Sequence, residues 1–174
     1  MKKDVKHKFD DYTVRLINEN DFENYYNNGF LNCSDETDYF TGTTEKYKKE
    51  DIFNYINKIV DDKTRFDFVI LDNDNKIIGE VVLNSIDNGL CNYRIAIFSK
   101  DSFSKGIGYN ASKFVFDYAF NNTDIERIGL EVYPFNERGI NLYKKLGFVF
   151  IKEVVDEEAE DLYRVSYYME LCKV

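Results

Sequence analysis

Several residue types are scarce in this sequence, and each scarcity removes a class of function. The single histidine, His7, lies in a lysine-rich N-terminal stretch, which leaves no Ser-His-Asp hydrolase centre and no histidine-rich metal site. Cys33, Cys91 and Cys172 stand far apart without a CxxC pair, so zinc ribbons and dithiol redox chemistry drop out. They are expected to be reduced thiols in or beside the core. No cluster of His, Cys or Asp asks for a metal. No run of eighteen apolar residues occurs, and the start Met1-Lys2-Lys3-Asp4 lacks the apolar segment of a signal peptide. A soluble, cytoplasmic protein without membrane contact is expected. Positive charge is also short: 23 Lys and Arg face 32 Asp and Glu, for a net charge of −9. That balance disfavours nucleic acid, whose phosphates need a basic surface.

What is present is ample core material. Hydrophobic residues make up 44% of the 174 residues and aromatics 17%, enough for one domain spanning 1–174. Residues 12–17 alternate as a strand, and Asn20-Asp21 offers a helix cap ahead of Phe22, Tyr25 and Tyr26. The polar stretch 29–44 reads as a loop. Ile52, Phe53, Ile56, Ile59 and Val60 then mark an amphipathic helix over 45–61. Residues 66–71 and 76–84 form a hairpin around Asp72-Asn73-Asp74-Asn75, and Asp87-Asn88-Gly89 leads into a third strand over 90–98. Helical spacing returns over 108–121, a strand follows at 127–133, and a helix at 136–146 carries Asn136 as N-cap and Gly147 as the residue after its end. Residues 148–154 and 163–171 suggest a last hairpin around the acidic loop 156–161. The sum is an α+β fold, with a mixed, mostly antiparallel sheet of about seven strands and about four flanking helices.

One stretch carries chemistry. A strand, the turn Phe103-Ser104-Lys105-Gly106-Ile107-Gly108 and a helix form the arrangement that cradles phosphate. Glycines let backbone N–H groups converge at the positive end of the helix. Lys105 can add a point charge. An ordinary turn before a helix accounts for the same residues when they are taken alone.

The wider pattern resembles the GNAT acetyltransferase superfamily, and within it the Rim-type, ribosomal-protein-acetylating branch. The resemblance rests on Asn92-Tyr93-Arg94-Ile95-Ala96-Ile97, on Lys105-Gly106-Ile107-Gly108, and on Leu130-Glu131-Val132 followed by Asn136 and Leu142-Tyr143-Lys144-Lys145-Leu146-Gly147-Phe148. It covers nearly the whole chain, residues 29–50 and 155–162 matching only in position. It implies a three-layer fold in which strands 90–98 and 127–133 splay apart around acetyl-CoA. The pantetheine would meet backbone at Ile95, Ala96, Ile97 and Phe98. The pyrophosphate would meet Lys105, Gly106, Ile107, Gly108, Tyr109 and Asn110, with Asn136 close to the cofactor. Tyr143 falls where the family keeps its general acid and Glu131 where Rim-type relatives carry a proposed base, Glu80 being a rival. Backbone N–H groups near Ile97 or Phe98 would hold the oxyanion.

The implied reaction is acetyl transfer from acetyl-CoA to a primary amine, on a small molecule or a protein N-terminus. One departure stands out: Phe103 occupies a position where the family turn usually carries Gln or Arg. A non-catalytic acyl-CoA-binding or interaction protein on the same fold is therefore the alternative, and a homodimer through the C-terminal hairpin stays open.

Overall fold

The computed structural model describes residues 5–42 and 47–174. Its eight strands are β1 (Lys6–Phe9), β2 (Tyr12–Leu16), β3 (Phe66–Leu71), β4 (Ile77–Asp87), β5 (Leu90–Ile97), β6 (Arg127–Val132), β7 (Val149–Val155) and β8 (Val165–Cys172). They form one sheet in the order β1-β2-β3-β4-β5-β6-β8-β7. Every pair is antiparallel except β5 and β6. The helices are α1 (Phe22–Tyr26), α2 (Asp35–Thr41), α3 (Lys49–Val60), α4 (Ile107–Asn122) and α5 (Glu137–Lys145).

Turn chemistry sets the meander. The Asp72 carboxylate accepts the N–H groups of Asp74 and Lys76, while Asn75 takes a positive φ of 58°. Asn88 and Gly89 both adopt positive φ, as a tight two-residue hairpin requires. The strands thus delivered are apolar on both faces, because helices cover both. On one face α4 contributes Ile107, Ala111, Val115, Phe116 and Ala119 to a core with Phe68, Val81, Tyr93 and Leu130. On the other, Tyr25, Ile52, Ile56 and Ile59 pack on Val69, Leu71, Ile77 and Phe98. Each such buried side chain contributes about 1.5–3 kcal/mol.

The expected fold is present, and three of its details are sharpened or corrected. The sheet has eight strands because Lys6–Phe9 folds back on β2 through Asp10 (φ 45°), a pairing hidden by side chains that stay mostly exposed. Among the described residues there are five α-helices where about four were expected, since the supposed loop 29–44, whose residues 43–44 lie outside the described residues, contains α2 and the end of a π-helical turn, Asn27–Leu31. The missed signal was local: Ser34 caps the Thr37 N–H, acidic residues fill the first turn, and Gly42 ends the helix at φ 69°. Residues 45–46 of the expected helix 45–61 lie outside the described residues, and the helix runs Lys49–Val60.

Candidate active site

The sheet opens where β5 and β6 part. Their parallel pairing spans only Leu90↔Arg127, Cys91↔Ile128 and Asn92↔Gly129. The Phe98 N–H donates to the Ile78 carbonyl (2.8 Å), fixing which residues bond toward β4. Hydrogen-bonded and non-hydrogen-bonded pairs alternate along an antiparallel ladder, so Ile95 and Ile97 turn their backbone groups the other way, into the gap. There the Ile97 carbonyl accepts the Thr37 hydroxyl at 2.7 Å. A cleft of about 1000 Å³ runs through this gap.

At one end lies the glycine turn. Ser104 (φ 60°) and Gly106 (φ 73°) swing the chain into α4. The first N–H bonded inside the helix is that of Asn110, to Gly106, so the N–H groups of Ile107, Gly108 and Tyr109 are helix-start donors. All three residues line the cleft. A Cβ at Gly108 would stand 3.2 Å from Ile95 Cδ1 and 3.4 Å from Leu142 Cδ2, so the glycine lets α4 pack close to β5 and α5.

Midway stands Tyr143. The Asn136 side chain caps α5 by accepting the Gly139 N–H at 2.9 Å, and α5 then presents Arg138, Asn141, Leu142 and Lys145 to the cleft at helical spacing. Tyr143 lines the same space, its ring edge-to-face with Tyr93 and Phe148. Burial pushes its phenol up to about 12, with Arg138 pulling slightly the other way. The hydroxyl is therefore protonated at neutral pH and able to donate.

On the opposite face of the sheet is Glu131. Its Oε2 accepts the Ser166 hydroxyl at 2.6 Å, and both residues line the cleft. Tyr133, two residues on, stacks on Phe135 at 5.4 Å, and Tyr39, Phe40 and Tyr163 extend that aromatic wall. Glu80 is built differently. It is 7% exposed, and its two oxygens accept Tyr25 at 2.5 Å and Arg94 at 2.9 Å. Glu80 in turn raises the Arg94 guanidinium. With both oxygens engaged, Glu80 ties α1 to the sheet.

Of the residues singled out from sequence, the structure brings Tyr143, Glu131, Ile95, Ala96 and Ile97 to the cleft, together with Gly106, Ile107, Gly108, Tyr109 and Asn136. Phe98, Lys105 and Asn110 do not line it. Phe98 is a core residue: its carbonyl accepts the Ser34 N–H and its ring packs on Tyr25, so only Ile97 of the two oxyanion candidates keeps its N–H toward the gap. Sequence reasoning missed Thr37, Arg94, Arg138 and Ser166. Arg138 alone had a signal, the i, i+4, i+7 spacing with Leu142 and Lys145. The thiols of Cys33 and Cys91 are pushed up by burial, to about 11 and about 12, while Cys172 is exposed.

Residues 12–149 match the model of the acetyltransferase (GNAT) domain. The chain belongs to the GNAT acetyltransferase family. A curated relative, the SPbeta prophage-derived uncharacterized N-acetyltransferase YokL of Bacillus subtilis (strain 168), is 30% identical over 90 residues. That stretch covers 51% of this chain and half the length (50%) of the relative. Among solved structures, the spermidine N-acetyltransferase from Vibrio cholerae in complex with CoA and spermine superposes with a TM-score of 0.79 at 23% identity. The match covers 93% of this chain and 95% of that one. The ribosomal-protein-S5-alanine acetyltransferase from Vibrio fischeri gives 0.80 at 21%, covering 97% of each. The GNAT fold, with one splayed parallel pair in a mostly antiparallel sheet, is thus shared. Among the described residues no helix is long and apolar enough to cross a membrane, and no group of three or more His, Cys, Asp or Glu is placed to hold a metal.

Proposed function

We propose that this chain is an acetyl-CoA-dependent N-acetyltransferase of the Rim-type branch, moving an acetyl group onto a primary amine by direct attack. The observation that carries this reading is the single cleft joining three features: the helix-start donors at Ile107–Tyr109, the protonated Tyr143, and the Ser166-held Glu131. The residues present suit the co-substrate. The glycine turn offers backbone donors to a pyrophosphate, the free edge of β5 offers strand-like partners to an amide-bearing arm, and the volume suits a long ligand. Acetyl-CoA supplies the acetyl thioester.

The chain's own groups then have separate tasks. Glu131 takes the proton from the acceptor ammonium, directly or through one water, so that a neutral nitrogen attacks. Ser166 fixes one carboxylate oxygen and leaves the other for that proton. The Ile97 N–H faces the gap and stabilises the carbonyl oxygen as it gains charge. A carbon–nitrogen bond forms and the carbon–sulfur bond breaks as the Tyr143 hydroxyl donates its proton to the departing sulfur; the proton that the attacking nitrogen loses on becoming an amide passes to solvent, from which the Tyr143 phenol is restored.

The acceptor side supports an amine with an apolar or aromatic body. Phe40 and Tyr133 line it, and Arg94 there is already paired with Glu80. Glu131 lines the same space, with Asp156 acting on the neighbouring Tyr133, so a cationic amine is favoured there. The relevant experiment follows free thiol while purified protein and acetyl-CoA meet a panel of aromatic monoamines, peptides with aromatic N-termini, spermidine and aminoglycosides. Thiol release with the aromatic amines is expected. The absence of turnover on every amine, together with the absence of a thermal shift with acetyl-CoA, would overturn the reading. The second reading, a non-catalytic acyl-CoA-binding protein, is favoured by one observation, the phenylalanine at 103, and predicts binding without thiol release. We place the activity in the cytoplasm.

A further inference from the structure

Phe103 leaves the phosphate turn without a side-chain donor three residues before Gly106, and Lys105 is exposed and outside the cleft lining. The cation of this end comes from another element. The Arg138 guanidinium lies 3.7 Å from the centre of the Phe103 ring and 5.3 Å from that of Phe40. Both Arg138 and Phe103 line the cleft beside Gly106, Ile107 and Gly108. We propose that Arg138, held in place by the Phe103 ring, is the residue that grips the pyrophosphate of acetyl-CoA, replacing from α5 the polar side chain that the turn lacks. The proposal rests on the acetyl-CoA reading of the cleft.

The physical case has three parts. A guanidinium on an aromatic face is attracted by the ring's quadrupole while its N–H groups, which lie in its own plane, remain directed outward toward acceptors. An ammonium held over a ring would offer only a point charge, whereas the planar fork matches two phosphate oxygens. Second, Arg138 is weakly committed elsewhere. Its carboxylate partner among the described residues, Glu36, is 3.9 Å away, and Lys100 competes for Glu36 from 3.4 Å. Arg138 is exposed and Glu36 partly so, and at this distance the pair holds little.

Third, the charges lining the cleft run against those of the chain. The protein carries a net charge of −9, yet the charged groups lining the cleft are Arg94, Arg138 and Lys145 against Glu131 and Glu137. With Arg94 bonded to Glu80, the other lining charges balance, and both remaining cations, Arg138 and Lys145, sit on α5. Anionic phosphate entering there meets helix-start N–H groups from α4 on one side and the guanidinium from α5 on the other.

Calorimetric dissociation constants for CoA and for pantetheine, which lacks the phosphates, test this in wild type, Arg138→Gln, Arg138→Lys, Phe103→Leu and the double variant. Arg138→Gln is expected to weaken CoA by about tenfold or more while leaving pantetheine within about twofold. Lysine should recover part of the loss. Phe103→Leu should weaken CoA by several-fold, and the double variant should be no worse than Arg138→Gln, since the ring acts through the guanidinium. CoA binding by Arg138→Gln within about twofold of wild type overturns the proposal and leaves the acetyl-CoA reading intact. Equal losses for CoA and pantetheine also overturn it, because they mark a structural role. Wild type that binds no CoA overturns both.

Discussion

The Phe148 N–H donates to the Tyr143 carbonyl at 3.0 Å, and the two rings meet edge to face at 6.0 Å. With the Gly147 N–H on the Lys144 carbonyl, this is a Schellman closure, and it turns the chain back so that the residue after the glycine packs on the proposed acid. Gly147 makes the turn possible at φ 97°, and an added Cβ would stand 3.2 Å from Leu171. Gly147→Ala is expected to cost about 1–2 kcal/mol. Thermal unfolding should show a melting point lower by a few degrees, with turnover falling more than cofactor affinity because Tyr143 loses its packing partner.

Tyr143→Phe keeps the ring contacts with Tyr93 and Phe148 and removes only the donor. Turnover is expected to fall about 100-fold, within the range typical of general acid–base groups. Calorimetry should find CoA affinity within about twofold of wild type. Unchanged turnover would remove Tyr143 from the mechanism.

Glu131→Gln is expected to lower turnover about 10- to 100-fold at neutral pH. The deficit should shrink as pH rises, because the solvent then supplies more neutral amine without a base. Ser166→Ala should cost a smaller factor, about three- to tenfold, by freeing the Glu131 carboxylate to rotate. A pH–rate profile of the three proteins, taken with one aromatic amine, separates the two effects.

Glu80→Ala tests the structural role of the other carboxylate. It would leave the buried Tyr25 hydroxyl without its acceptor and Arg94 without its partner. Arg94 reaches solvent, so the cost is set at about 2–3 kcal/mol rather than the full value for a buried pair. Urea unfolding should register it. A loss of activity per folded molecule as deep as that of Glu131→Gln would instead make Glu80 the base.

Alkaline stability should follow the buried phenols. Burial raises the Tyr143 phenol from 10.0 to about 12 in the folded state, and those of Tyr25 and Tyr93 are also held well above their usual value. The unfolded chain therefore ionises first. The contribution from Tyr143, up to about 3 kcal/mol, is fully present below pH 10 and is lost as pH climbs from 10 toward 12. Denaturant melts from pH 8 to 12 should show this decline, and Tyr143→Phe should make it shallower.

Much of this was legible in one dimension because it is local. The central hairpin announced itself through Asp72-Asn73-Asp74-Asn75 and Asp87-Asn88-Gly89, and α5 through Asn136 and Gly147, since turns and caps are decided by residues a few positions apart. The glycine turn could be singled out from its own residues, whereas Tyr143 and Glu131 were singled out only through the resemblance to the GNAT family. The helix within 29–44 was overlooked although Ser34 and Gly42 bracket it; the absence of a sustained apolar period outweighed its caps.

The sequence by itself determined most of the elements and their order, β1 and α2 excepted. Tertiary structure alone decided which groups are available within the cleft. Phe98 lies next to Ile97 in the chain, but the alternation of the β4–β5 ladder sends its N–H to Ile78 and turns that of Ile97 toward the gap. Glu80 and Glu131 are both strand carboxylates, and only the folded chain binds one to Tyr25 and Arg94 while giving the other a single serine. Phe103 reads as a defect in the turn until α5 lays Arg138 across it, 35 positions further along. Hydrogen bonds and ring contacts between distant segments depend on how the sheet and helices pack, and spacing along the chain carries no record of that.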